Sequence, residues 1–193
     1  MRELQQPASA PVDPALHDGP VVETMRLILR QNHPSDLDDR IAITGDPDFM
    51  QFVGGVYDRQ ENWSRIMRYI GHWVCFGFGL FAVEEKGTGR YVGNVGLARF
   101  ERGLGADFDP YPECGWMVAQ WAEGRGYATE AMHAALAWYE RHFGSGRQVC
   151  MIDPTNAASL RLAEKLGFRP YREGLIRGDV VLLHERNASP IAR

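Results

Sequence analysis

The chain has 193 residues, of which 45% are hydrophobic and 24% are charged, and its formal net charge is −4 at pH 7. This length and composition fit a single globular domain with a sizeable core. The weak negative charge argues against a nucleic-acid partner and against binding to an anionic membrane surface. No apolar run approaches the roughly 18 residues that a membrane span requires.

The three cysteines, Cys75, Cys114 and Cys150, are scattered singly along the chain without a CxxC pair. Their odd number and their spacing argue against a disulfide framework and against a zinc site. We therefore expect free thiols in a reducing compartment and no bound metal. The N-terminus lacks the charged segment and apolar core of a signal peptide, so the expected location is cytoplasmic.

Residues 1–22 are rich in proline and small residues and show no periodicity, which predicts a loose N-terminal tail. The predicted domain spans 23–187, and a short tail follows at 188–193. Within the domain, partial alternation predicts a strand near 24–30, and helical spacing predicts helices near 35–44 and 60–73.

Two β-rich stretches at 79–84 and 91–100 flank a glycine-containing turn and predict a hairpin. Gly93 and Gly96 in the second stretch indicate a bulge or a close backbone approach. The remaining predicted elements are a strand at 113–118, a helix at 126–143, a strand at 148–153, a helix at 156–166, and strands near 168–172 and 180–185 joined by a turn at 174–178. This order predicts an α/β (α+β) fold, with a mixed six- to seven-stranded central sheet and helices on both faces.

The stretch Glu-Gly-Arg-Gly-Tyr-Ala-Thr-Glu-Ala at 123–131 leads into the longest predicted helix of the domain core. A helix N-terminus carries unpaired N–H groups and the positive end of the helix dipole, and a glycine-rich turn lets an anion approach them. We therefore expect a phosphate-binding turn in which Gly124 and Gly126 leave room and Arg125 adds charge. The alternative is that Gly126 only permits a tight strand-to-helix turn. A GxxxxGK[ST] loop is absent, and Thr129 replaces the third glycine of a dinucleotide fingerprint.

Residues 113–131, ECGWMVAQWAEGRGYATEA, resemble the central motif of the GNAT (GCN5-related N-acetyltransferase) superfamily, and they are most similar to its ribosomal-protein N-terminal acetyltransferase branch. Residues 156–168, NAASLRLAEKLGF, resemble the next motif of the family, and residues 25–29 resemble its opening strand. The resemblance implies a GNAT fold with acetyl-CoA as acetyl donor. It also implies a bulged fourth strand that splays from the fifth, with the thioester in the gap between them.

The resemblance further implies a set of donor-binding residues. The pyrophosphate would rest on the backbone amides of Gly124, Arg125, Gly126, Tyr127, Ala128 and Thr129. The pantetheine arm would pair with the backbone of Met117 and Val118, and Asn156 would hydrogen-bond to it. The implied acceptor is a primary amine of a small molecule or a protein N-terminus. Dimers are common among relatives, so a homodimer is one expected assembly.

Two positions depart from the family pattern. Glu123 stands where the phosphate motif has glutamine or arginine, and a carboxylate beside a pyrophosphate is unfavourable. Arg125 pairing with Glu123, or an outward Glu123 side chain, would relieve this. Ala163 stands where many relatives carry a tyrosine that protonates the leaving thiolate. The branch that this chain resembles often uses a serine nearer the helix start, and Ser159 fits that position.

The implied chemistry needs a neutral amine, whereas amines with pKa values of about 8 to 10 are mostly protonated at pH 7. Glu113 is the candidate general base, because it begins the splayed strand and shares a face with Gly115 and Met117 if no bulge intervenes. The alternative is a solvated carboxylate at a strand end. Ser159 is the candidate proton donor to the thiolate, or it only bonds the backbone of its own helical turn.

The sequence thus predicts an N-acetyltransferase that works by direct transfer in a ternary complex, with Cys114 as the one nearby group that could form an acetyl-enzyme. One alternative is a non-catalytic acyl-CoA-binding sensor or partner module, favoured by the departures at Glu123 and Ala163. Another is a module for a different phosphorylated ligand. Four aromatic residues are candidates for an acceptor pocket or for ordinary core: Tyr57, Trp63, Trp73 and Phe76.

Overall fold

The structure is a computed structural model that describes residues 19–187, so the predicted tail at 188–193 and most of the predicted tail at 1–22 lie outside the described residues. Within this range the strands are β1 Val22–Glu23, β2 Leu27–Arg30, β3 Leu80–Glu85, β4 Tyr91–Ala98, β5 Glu113–Val118, β6 Arg147–Ile152, β7 Arg169–Ile176 and β8 Asp179–Asn187. The helices are α1 Leu37–Thr44, α2 Pro47–Met50, α3 Arg59–Phe76, α4 Tyr127–Phe143 and α5 Ala157–Lys165.

The strands form one sheet in the order β1-β2-β3-β4-β5-β6-β8-β7. Only the β5–β6 neighbours are parallel, and every other described pair is antiparallel. The predicted mixed sheet is confirmed, with one more strand than the predicted maximum. The extra strand arises because Val22, at the end of the predicted tail, pairs with Leu29.

The predicted turn at 174–178 is wrong in its extent, because β7 continues to Ile176. Gly174 lies inside the ladder opposite Val181. The chain reverses at Arg177 and Gly178, whose φ angles are 53° and 95°. Two successive positive φ angles are typical of a two-residue hairpin turn that matches the twist of the strands.

Helices cover both faces of the sheet, as predicted, because alternate side chains of each strand point to opposite faces. On β3, Phe81 and Val83 enter the larger core cluster, which α4 and α5 complete. Ala82, between them, enters a smaller cluster on the other face together with Ile43 of α1.

The strand β5 is held to β4 along its whole length but to β6 at a single residue pair, Glu113 with Val149. The predicted splay between these strands is therefore present. The β4–β5 ladder has no register shift, so the bulge implied for β5 does not appear in that ladder; the shift nearby lies between β3 and β4. The close approach predicted at Gly93 is present, since its φ is 145° and a Cβ there would lie 2.0 Å from the Met117 carbonyl oxygen.

The start of α4 is tied to the β1–β2 turn through the carboxylate of Glu130. One carboxylate oxygen accepts hydrogen bonds from Thr24 Oγ1 at 2.6 Å and from the Arg26 backbone N–H at 3.0 Å, and the other accepts from Arg26 Nε at 2.7 Å. Arg26 Nη1 also donates to the carbonyl oxygen of Arg125 at 2.9 Å. Burial alone would raise the pKa of Glu130, but these donors outweigh burial and lower it.

We expect Glu130→Gln to lower the free energy of unfolding at pH 7 by about 1–3 kcal/mol, because hydrogen bonds to a charged group are lost. The folded-state pKa of Glu130 lies below its ordinary value of 4.5, so its stabilisation is present above pH 4.5 and is lost as the pH falls through the folded-state pKa. Urea unfolding at several pH values measures both effects. Glu164→Gln, at an exposed position of α5, is the matched control. A difference between Glu130→Gln and the wild type that does not shrink in acid contradicts this account.

Candidate active site

Two adjoining cavities lie beside the gap between β5 and β6. The first, which we call the helix cleft, has a volume of about 630 Å³ and is walled by the start of α4, the end of β5, α5, and α2 with its following loop. Every predicted donor-binding residue except Arg125 lines it: Met117, Val118, Gly124, Gly126, Tyr127, Ala128, Thr129 and Asn156. The structure thus brings together two motifs that are about thirty residues apart in sequence.

The glycine turn presents unpaired backbone donors to the helix cleft. Gly124 and Gly126 have φ angles of 69° and 77°, in the left-handed region that favours glycine, and Gly126 caps α4 without a side-chain hydrogen bond. Within the described range, none of the backbone N–H groups of residues 124–129 donates to a protein acceptor. These groups stand at the positive end of the α4 dipole, so the turn can bind a phosphate.

Arg125 points away from the helix cleft. Its guanidinium pairs with Glu85 at 3.1 Å and lies over the Tyr127 ring, whereas Glu123 is exposed and lines the cleft. The predicted alternative in which Arg125 pairs with Glu123 is therefore wrong, because Glu85 of β3 already occupies that guanidinium.

Two cations that the sequence analysis missed, Arg161 and Lys165, line the helix cleft from α5. Both are exposed side chains. Their spacing of four residues places them on one helix face, and Ala158 and Leu162 of the same face also line the cleft. In the sequence, the helical spacing of Ala158, Arg161, Leu162 and Lys165 after Asn156 is the pattern that could have identified these two cations.

The exposed edge of β5 faces the gap through alternate residues. The Ala119 N–H donates to the Val92 carbonyl oxygen, and the Met117 carbonyl oxygen lies against Gly93, so these residues direct their backbone groups to β4. Alternation then places the backbone groups of Val118 and Trp116 on the side of β6. Val118 fits the expected backbone pairing, and Met117 contributes its side chain to both cavities instead.

Asn156 and Ser159 serve the helix and line both cavities. Asn156 Oδ1 accepts from the Ser159 N–H at 3.0 Å and caps α5, while Asn156 Nδ2 donates to no acceptor of residues 19–187. Ser159 Oγ accepts from Trp116 Nε1 at 3.1 Å, which leaves the hydroxyl proton of Ser159 free to be donated. Capping and ligand binding are therefore compatible at Asn156, whereas the Ser159 hydroxyl forms no hydrogen bond to its own helical turn within the described residues.

The second cavity, which we call the arginine pocket, has a volume of about 350 Å³. It shares with the helix cleft the loop residues 51–53 and also Trp116, Met117, Asn156 and Ser159. Its other walls come from α1, the loop after α2, α3, the centre of the sheet at Leu80 and Asn94, the loop before β5, the start of β5, the end of β6 and the β7–β8 hairpin. Arg40, Arg65, Arg68, Arg102 and Arg177 line it. These positions come from four separate segments, so no local sequence pattern identifies the pocket.

Glu113 lines the arginine pocket and is only 5% exposed. Its two carboxylate oxygens accept from Arg102 Nε at 2.9 Å and Nη2 at 2.7 Å. Burial raises the pKa of Glu113, and the attraction of Arg102 offsets only part of that rise. Glu113 is therefore not a solvated carboxylate at a strand end, and a raised pKa makes its carboxylate a stronger base.

Cys114 borders the arginine pocket, but its side chain belongs to the larger core cluster on the opposite face of β5 and is 3% exposed. Burial raises its pKa well above the ordinary range for a thiol, so the reactive thiolate is disfavoured. Of the four aromatic candidates, Tyr57 lines the arginine pocket, whereas Trp73 belongs to the core. Trp63 and Phe76 line neither cavity and are partly exposed.

In the described part of the chain, no group of three His, Cys, Asp or Glu side chains is placed to hold a metal ion. The helices found between residues 19 and 187 are also too short or too polar to cross a membrane.

Comparisons with known proteins assign the chain to one family. The acetyltransferase (GNAT) domain family matches residues 26–169. The uncharacterized protein YkkB of Bacillus subtilis is 33% identical over 129 residues, which cover 63% of this chain and 69% of that protein.

Two solved structures illustrate the likeness of the fold. A GnaT-family acetyltransferase from Bordetella pertussis is 34% identical, with a TM-score of 0.78, and the match covers 86% of this chain and 99% of that one. The ribosomal L7/L12 α-N-protein acetyltransferase RimL, solved in complex with coenzyme A, is 15% identical with a TM-score of 0.71, covering 88% and 98% of the two chains. The predicted resemblance to the GNAT superfamily is confirmed, and the likeness to RimL, at 15% identity, is a likeness of fold.

We expect a thiol reagent such as Ellman's to label Cys75 in the folded protein and to reach Cys114 and Cys150 only after unfolding, because Cys75 is exposed and the other two are buried. Absorbance of the released thiolate, with and without urea, counts the reactive thiols. Cys75→Ser is the control and should abolish labelling of the folded chain. Rapid labelling of Cys114 in that variant contradicts its assignment to the core.

Proposed function

The chain belongs to the GNAT acetyltransferase family, and from this premise we propose that it transfers an acetyl group from acetyl-CoA to a primary amine by direct transfer in a ternary complex. One observation carries the proposal. The helix cleft, with its unpaired N–H groups, meets the arginine pocket, with its buried carboxylate, at the shared wall of Trp116, Met117, Asn156 and Ser159. Two substrates can therefore meet in the gap beside β5.

The residues of the helix cleft fit acetyl-CoA. The N–H groups of residues 124–129 suit the pyrophosphate, and Arg161 and Lys165 add positive charge toward the phosphates. The backbone of Val118 and Trp116 and the free amide nitrogen of Asn156 suit the pantetheine amides. Coenzyme A bound to the related L7/L12 acetyltransferase supports this choice of donor.

In the proposed reaction, the neutral amine nitrogen attacks the thioester carbonyl carbon, so that a C–N bond forms and the C–S bond breaks. Glu113 takes the proton that the amine loses, directly or through a water molecule, and releases it to solvent. The Ser159 hydroxyl donates a proton to the departing sulfur and is restored from solvent. The products are the N-acetylated amine and CoA thiol. Direct transfer is favoured over an acetyl-enzyme because Cys114 is buried on the other face of β5.

A second candidate is a non-catalytic acyl-CoA sensor, which Glu123 favours because it places a negative charge at the helix cleft. The departure at Ala163 also favours a sensor, because alanine cannot donate a proton to the thiolate. The Ala163 side chain is fully buried in the core. An assay of free CoA thiol across a broad panel of amines separates the candidates. Binding of CoA without any amine-dependent thiol release favours the sensor.

The double variant Arg161→Gln/Lys165→Gln should bind CoA about threefold to thirtyfold more weakly, because each exposed charge contributes modestly to the attraction of the phosphates. Isothermal titration calorimetry at low and high salt measures the loss, which salt should reduce. Arg141→Gln, at an exposed position of α4 outside both cavities, is the matched control. Unchanged affinity in the double variant removes α5 from the proposed donor site.

Glu113→Gln should lower kcat by about 10²- to 10⁴-fold, the usual contribution of a general base, with little change in the affinity for CoA. With rates normalised to the fraction of neutral amine, the wild-type rate should fall as the pH drops through the raised pKa of Glu113, and the variant should lack this acidic limb. The control Glu140→Gln alters another largely buried carboxylate, paired with Arg186 at 2.7 Å and outside both cavities. Full turnover by Glu113→Gln, or an unaltered acidic limb, assigns the base elsewhere.

A further inference from the structure

Three guanidinium groups on one side of the arginine pocket have no acidic partner among residues 19–187. Arg40 comes from α1, and Arg65 and Arg68 come from α3. None of the three forms an ion pair with a carboxylate in the described range. Arg40 is 1% exposed, Arg65 is half-buried and Arg68 is exposed. Because a buried charge without a counter-ion is costly, the burial of Arg40 beside two further cations favours a compensating anion.

Arg40 is the most deeply buried of the three arginines. Its Nη1 donates to Asn94 Oδ1, and its Nε is buried without any acceptor in the described structure. The guanidinium lies over the ring of Tyr69, 5.2 Å from its centroid. Aromatic contact and one amide oxygen leave a buried cation only partly satisfied.

The three arginines also act on Tyr69, which lies among them. Burial alone raises the pKa of this phenol, but Arg40, Arg65 and Arg68 outweigh burial and lower it below the ordinary value of 10. The pKa of Arg65 is lowered by burial, and repulsion from Arg68 and Arg40 adds to this effect. An anion bound among these groups would reduce the repulsion between the arginines and would offset their lowering of the pKa of Tyr69.

Five arginines line the arginine pocket, against three carboxylates, Glu113, Asp153 and Asp179. Glu113 is held by Arg102, Asp153 accepts two hydrogen bonds from Thr155, and Asp179 is exposed in the β7–β8 hairpin. The uncompensated charge of the pocket is therefore positive, although the whole chain is net negative. Such a wall repels a polycationic amine.

We propose that the acceptor is a small amine that also carries a carboxylate or phosphate group, bound by Arg65 and Arg68 together with Arg40 while its amine faces Glu113. Guanidinium groups suit both oxyanions because their planar donors match the oxygens in pairs. The volume of about 350 Å³ is at the small end of ligand pockets, which fits a molecule of amino-acid size. This inference rests on the amine acetylation proposed above.

Matched acceptors test the inference. L-amino acids are compared with their carboxamides, and O-phosphoethanolamine with ethanolamine, by release of CoA thiol. Rates are normalised to the fraction of neutral amine, because a carboxamide lowers the pKa of the neighbouring amine. The anionic member of at least one pair should have a kcat/KM at least about tenfold higher. The pair that shows the preference distinguishes carboxylate from phosphate. Equal values in every pair, or a preference for spermidine, overturn the inference.

The double variant Arg65→Gln/Arg68→Gln should raise KM for the anionic acceptor at least about tenfold and leave its neutral partner and the KM for acetyl-CoA unchanged. Arg59→Gln is the control, because Arg59 lies on the same helix and pairs with Asp38 at the surface, outside the pocket. Equal losses with anionic and neutral acceptors indicate a structural role and overturn the inference.

The two proposals fail in different ways. Equal acetylation of neutral and anionic amines leaves the acetyltransferase proposal intact and removes only the anion site. If no amine releases thiol, the acetyltransferase proposal fails, and calorimetry of the CoA-loaded protein with the same L-amino acids and O-phosphoethanolamine then decides the anion site. Binding that is lost in the arginine double variant supports the site, and absence of binding overturns it.

Discussion

The separation of β5 from β6 after one residue pair is the constraint on which the rest of the site depends. A fully paired strand would use its backbone groups within the sheet and would leave no space beside it. Here β5 stays bonded to β4, and the close approach at Gly93 has no room for a side chain. The edge of β5 that faces the gap is thereby free to pair with a ligand, and both cavities open beside that edge.

The first turn of α5 joins the two cavities because two of its side chains each perform two tasks. Asn156 gives its oxygen to the helix cap and keeps its nitrogen for the cleft. Ser159 accepts a hydrogen bond from Trp116 and keeps its own proton. Each group is therefore oriented by the fold through one atom and available to a substrate through another. Such orientation reduces the entropy that binding would otherwise lose.

Ion pairing divides the arginines into those that build the scaffold and those that line a pocket. Arg26 anchors α4 through Glu130, and Arg125 is held by Glu85 instead of facing the cleft. The positive character of the helix cleft consequently comes from backbone N–H groups and α5. In the arginine pocket, by contrast, Arg40 and Arg65 are held by aromatic rings and remain without carboxylates in the described structure. Guanidinium groups that no carboxylate of the protein neutralises can bind an anionic ligand.

The sequence by itself determined the order of most elements, the glycine turn before α4 and the Asn156 helix, because turn residues, caps and periodicity are local properties of the chain. It also placed Glu113 beside Met117 on one strand face, since alternation is local too. Only the tertiary structure decided that Arg125 pairs with Glu85, that Arg102 holds Glu113, and that arginines of α1 and α3 share one pocket. Those contacts depend on which distant segments of the chain meet. The packing of helices on the sheet determines which segments meet, and the spacing of residues along the chain does not.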